Sequence, residues 1–203
     1  MRKNSWLYLA VMLIGISSSG CAHVGGQGTG KDDGETARYK IEKYFPLAVG
    51  NSWTFQTSFQ DQSQPDLTVK IIKKDKGFFV DDRPRPSRLH IDASGIRDGN
   101  IRYLLKAPLK KGSKWMSVAD IRTVEHFEIA EVARKIKTPA GVFNDCVVVN
   151  MEVKIKENRS MVNRMTFAPD IGIVEIRALL YEGTKAITQS YMVLKTYKLA
   201  PEK

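Results

Sequence analysis

Few side chains in this sequence stand at spacings that chemistry uses. His90 and Asp92 are two residues apart in "HID". On a strand that spacing puts both on one face, near enough for the carboxylate to orient the imidazole as a general base. His126 is the other histidine of the body, and neither histidine has a nucleophile at a recognisable spacing. No H-E-x-x-H, paired-cysteine or Gly-x-Ser-x-Gly motif occurs. Asp92, Ser94, Asp98 and Asn100 gather oxygens around two turns, as a calcium loop does. Their spacing matches no such loop, and the same residue types suit turns. Gly25, Gly30 and Lys31 have phosphate-loop spacing, but Asp32 stands where Ser or Thr would hold magnesium, and no strand precedes them. These residues lead us to expect a chain that is not an enzyme and uses neither metal nor cofactor.

The two thiols have more to say. Cys21 closes "ISSSGC", which follows a positive head (Arg2, Lys3) and the apolar run Trp6 to Ile16. Positive head, short apolar run and small residues make a secretory signal. The run falls short of the roughly 17–25 apolar residues needed to span a bilayer as a helix. Ser18-Ser19-Gly20-Cys21 resembles the lipobox of bacterial lipoproteins, departing from it at Ser18, where leucine is usual. The resemblance implies that residues 1–20 are removed and that the Cys21 thiol carries a diacylglycerol. It also implies that Ala22, in place of the aspartate that retains such proteins at the inner membrane of enteric bacteria, sends the chain to the outer membrane, facing the periplasm. Cys146 would then lack a partner and serve as a buried, inert thiol. Under ordinary secretion the two cysteines could instead pair in an oxidising compartment.

Residues 21–40 are rich in glycine and polar side chains and read as the lipidated cysteine and a flexible tether. Residues 41–203 are long enough for one domain with a proper core. Net charge is +10, or +8 once Arg2 and Lys3 are removed. The excess is spread over Lys70 to Lys76, Lys110 to Lys114 and Arg134 to Lys137, without a basic helix or a base-stacking platform. Nucleic acid is therefore not an expected partner. The charge suits solubility or attraction to anionic headgroups beside the anchor.

The body alternates with period two. Trp53, Phe55, Thr57 and Phe59 fall on one side of "SWTFQTSFQ"; Val147, Val149, Met151, Val153 and Ile155 line one face of "CVVVNMEVKIK". Turn chemistry separates the segments, as in "TPAG", "DASG", "RDGN" and "APDIG". The periodicity of 118–137 fits helix or strand. The expected fold is all-β with room for a minor helix.

Four stretches in order, "YFPLAVGNSWTF", "LLKAPLKKGSKW", "KTPAGVFNDCVVV" and "FAPDIGIVEI", resemble motifs of a group of bacterial lipoproteins and exported proteins without an established activity. The resemblance spans nearly the whole domain. It implies a single curved antiparallel sheet or open half-barrel, similar to lipoprotein carriers and receptors, with Ile121 to Lys137 as strand. Each Gly-x-x-Trp makes sense as a strand start with the indole in the core. A curved sheet with many aromatics also offers an apolar groove, for which Trp53, Phe55, Trp115 and Phe143 are the candidates. The expected function is a non-enzymatic envelope lipoprotein, held to the membrane through Cys21, that binds an apolar ligand, a lipid or an envelope protein. The alternatives are a periplasmic hydrolase using His90 or His126 and a purely structural scaffold.

Mass spectrometry of the mature N-terminus should find a diacylated Cys21. A Cys21→Ser chain that still partitions into detergent would refute the anchor.

Overall fold

The computed structural model describes residues 40–120 and 123–201; Cys21 and the tether lie outside them. Alternating residues give twelve strands: β1 (Ser52–Phe59), β2 (Gln62–Asp75), β3 (Phe78–Asp81), β4 (Arg88–Asp92), β5 (Gly95–Asp98), β6 (Arg102–Lys106), β7 (Lys114–Asp120), β8 (Thr123–Thr138), β9 (Gly141–Lys156), β10 (Arg159–Ala168), β11 (Gly172–Glu182) and β12 (Lys185–Lys198). They form one antiparallel sheet in the order β6-β5-β4-β3-β2-β1-β12-β11-β10-β9-β8-β7. Each strand pairs with its sequence neighbours, except that β12 returns to pair with β1 and β6 does not ladder with β7. The sheet curls until it is nearly a closed barrel. The fold is thus all-β with one short 3₁₀ turn, Ile41–Tyr44.

The inner face carries the core. Trp53, Phe55, Val147, Val149 and Met151 are buried, whereas Phe59 and Val153, closer to the hairpin ends, are half-buried. The segment with ambiguous period is strand on both sides of its turn. Its alternation is broken by register shifts between Ile129 and Glu131 and between Glu131 and Arg134. Each extra residue in a bulge moves the next apolar side chain one place along. Phe127 and Ile129 keep strand spacing, whereas Ile129, Val132 and Ile136 reach the core three and four residues apart, as in a helix. Strand β5 had no signal of its own: it is four residues long and lies between "DASG" and "RDGN". Gly95 permits it, because a Cβ there would meet the Leu105 carbonyl at 2.2 Å.

In an up-and-down sheet, alternate turns share an end. The chain enters at one end, the base, which also holds the β6–β7, β8–β9 and β10–β11 connections. There the 3₁₀ turn plugs the sheet. The Tyr44 hydroxyl donates to the Asp145 carbonyl (2.8 Å), and the Asp170 amide donates to the Lys43 carbonyl (2.6 Å). Phe45 stacks on Trp53 at 5.5 Å, and a Cβ on Gly172 would sit 3.1 Å from the Phe45 ring. Trp53 Nε1 donates to the Ile171 carbonyl (2.7 Å). Buried Asn51 donates to the Pro46 carbonyl and accepts from the Ala200 amide, both at 2.7 Å. The tip of the β8–β9 hairpin reaches β12 through an Ala140 amide to Leu194 carbonyl bond (3.2 Å).

Side chains close the sheet between β6 and β7. Arg102 donates from Nε to Glu125 Oε2 (2.7 Å) and from a terminal nitrogen to Oε1 (3.0 Å), and Trp115 Nε1 donates to the Tyr103 carbonyl (2.9 Å). Trp115 in turn stacks on Phe127 at 5.2 Å.

Glu125 is 6% exposed. Removing its partner by Arg102→Ala strands a buried charge and should cost about 2–4 kcal/mol, toward the lower end of the range for buried pairs because Arg102 is partly solvated. Glu125→Gln in the same background should recover part of it. A urea titration showing Arg102→Ala within 0.5 kcal/mol of the parent, roughly the scatter of surface changes, would mean that the seam does not hold the sheet.

Candidate functional site

The chain brings two of the four groove candidates together. Trp53 and Phe55 line an apolar cavity of about 90 Å³ at the core, with Phe45, Val69, Leu89 and Met192 among its walls. Trp115 stacks at the seam, and Phe143 packs under the β8–β9 tip; neither lines the cavity. At the cavity rim Asp81 is buried and paired with Arg83 at 2.6 Å. Its other oxygen accepts the Arg83 and Ser87 amides, both at 3.2 Å. Ser87 hands the network on to Asp98 (3.0 Å), whose carboxylate lies 3.8 Å from Arg102. One polar chain therefore runs from the cavity rim to the seam.

His90 and Asp92 share a strand but do not form the pair that their spacing suggested. His90 Nδ1 faces the Gly77 carbonyl at 2.9 Å, and the ring lies 5.3 Å from Phe78. Asp92 instead caps the β4–β5 turn, accepting from the Ser94 amide (2.8 Å), the Gly95 amide (3.1 Å) and the Tyr103 hydroxyl (3.0 Å). Burial works to raise the Asp92 carboxyl, yet these donors and Arg97 together hold it below the ordinary value. Burial and the Asp92 charge raise the Tyr103 phenol. His126 stands exposed on β8, on the face turned away from Phe127.

The turn oxygens are likewise committed. Asp98 accepts the Arg88 amide (2.8 Å), and the Asn100 carbonyl accepts from Arg97 (2.6 Å). Among the described residues no three His, Cys, Asp or Glu side chains gather as metal ligands. Cys146 is a fully buried, unbridged thiol. Burial first, then the Asp145 charge, pushes it up to about 12.

Two surface features had no motif to announce them. Met116, Val118 and Val124 form an exposed apolar patch on the outer face of the β7–β8 hairpin. At the base, Lys40, Lys43, Lys110, Lys111, Lys135 and Lys137 are all exposed.

With Cys21→Ser in place, Cys146 is the mature chain's one thiol. At pH 8 only about one part in ten thousand would be thiolate, so a disulfide reagent should label it orders of magnitude more slowly than in denaturant. Labelling at a similar rate with and without denaturant would show that Cys146 is not enclosed.

No family model matches the chain, and no curated protein matches it. Two solved structures are similar. A candidate lipoprotein from Parabacteroides distasonis ATCC 8503 has a TM-score of 0.45 and 14% identity, covering 79% of this chain and 100% of its own. A candidate exported protein with YmcC-like fold from Bacteroides fragilis NCTC 9343 has a TM-score of 0.42 and 16% identity, covering 77% of this chain and 99% of its own. Likeness at this level transfers no function.

Proposed function

We propose that this chain is a non-enzymatic lipoprotein of the cell envelope, tied through Cys21 to the outer membrane on its periplasmic side. In this reading it works by docking an envelope protein on its outer surface and carries no lipid inside. The "ISSSGC" segment and the polar stretch after it support the anchor. The observation that carries the second half is the cavity. Small-ligand sites enclose roughly 300–1,000 Å³; the core cavity of about 90 Å³ and a polar hollow of about 200 Å³ beside Gln56, Thr57 and Tyr191 both fall below that range. Two of the aromatics that suggested a groove are engaged in stacking, Trp53 on Phe45 and Trp115 on Phe127.

The hydrolase alternative draws no support from the histidines, since His90 and Asp92 each bond elsewhere.

Trp53 and Trp115 are the only indoles after residue 20. Titrating the Cys21→Ser chain with a fluorescent fatty-acid probe should leave their emission without a saturable change. Native mass spectra of the same protein should show no bound lipid. A stoichiometric lipid in that protein would overturn the filled-interior reading and restore a carrier.

A further inference from the structure

The two ends of the barrel differ in charge. The base segments 40–44, 75–78, 92–95, 107–113, 135–144 and 169–171 carry seven lysines against four acids, Glu42, Asp75, Asp92 and Asp170. The five fully described turns at the opposite end, 59–62, 82–87, 98–102, 156–159 and 182–185, carry six basic and five acidic residues. The base is the more cationic end, and the other is close to balanced.

The base is also where the described chain begins, at Lys40. Eighteen residues separate it from Cys21. That length spans at most about 65 Å, enough to let either end approach a bilayer, so the anchor alone sets no orientation. The outer side of the β8–β9 tip adds a second property. Lys137 and Val142 are cross-strand partners there, and both are exposed. Val142 is 51% and Val49, in the loop after the 3₁₀ turn, 48% exposed. Lysines with small apolar side chains between them match a headgroup layer, where ammonium groups meet phosphates and methyl groups enter the boundary.

We infer that the base of the barrel is a docking face for an anionic phospholipid surface, which stands the molecule upright with its balanced end turned away from the membrane. This rests on the envelope-lipoprotein reading for its location, but the contact is made by the folded body and requires no acyl chain. Attraction of this kind strengthens binding about fivefold per lysine and decays within a Debye length of roughly 8–10 Å. It therefore orients the body, while the lipid on Cys21 holds it.

The test uses the chain from residue 21 onward with Cys21→Ser, so its outcome is independent of whether Cys21 is modified in the cell. Co-sedimentation with phosphatidylcholine vesicles should rise with added phosphatidylglycerol and fall as salt increases. Lys135→Gln with Lys137→Gln, and separately Lys40→Gln with Lys43→Gln, should each weaken partition at least about tenfold. Lys156→Gln with Lys185→Gln, at the other end, should change it less than twofold. Circular dichroism of each pair identifies any variant that fails to fold, and the two base pairs lie on separate elements, so either suffices. Binding indifferent to phosphatidylglycerol, or equal losses at both ends, would overturn the docking face. Binding to a soluble anionic polysaccharide in preference to the vesicles would overturn it as well.

Discussion

The fold depends on a closure that the backbone does not make. Eleven neighbour pairs are laddered, and the β6–β7 gap is bridged by side chains. An open edge exposes unpaired amides and carbonyls. Here one edge is tied across by the Trp115 indole and by the two-pronged contact of Arg102 with Glu125. The carboxylate is buried, so it is tolerable only while the guanidinium is in place. Arg102 is positioned in its turn by Asp98, and Asp98 connects through Ser87 and Arg83 to buried Asp81. Charges that would each be costly alone are stable as a chain because every member has a partner.

The base answers a different need. A curled sheet leaves its end open, and apolar inner residues there would face water. The 3₁₀ turn and the β8–β9 tip cover it, and their polar groups are satisfied by bonds to parts of the chain far apart in sequence. The stretches quoted as motifs therefore have a common explanation. Tyr44, Asn51 and Trp53 donate, while Asp145, Pro46 and Ile171 supply carbonyls at the right places. Packing and hydrogen bonding account for these residues without a ligand.

How far the sequence could be read follows from the same physics. Period-two alternation is a local property, so β1, the later part of β9 and the strands around them were visible from side-chain types alone. Bulges are not local in that sense. Ala133 and Asp145 take positive φ (54° and 53°), a conformation that neither residue announces reliably. Their kinks bend the β8–β9 hairpin, and the run Cys146 to Val149 becomes buried on both faces. His90 and Asp92 failed for a related reason. Sharing a strand face sets where two side chains start, but stronger local donors, the amides of the tight β4–β5 turn, decided where the carboxylate pointed.

The charge of the chain shows most clearly what linear reading misses. Along the sequence the lysines look evenly scattered, with no basic helix or run to mark a surface. In the fold, Lys40 and Lys43, Lys110 and Lys111, and Lys135 and Lys137 belong to three connections that an up-and-down meander must place at one end. Residues from 24 to 97 positions apart come to share one end because an even number of strands lies between them. A net charge then acquires a direction, which no composition supplies. In the proposed reading, a tether of that length and a field of this kind are complementary: the first would keep the base within reach of a surface, and the second would select which end meets it.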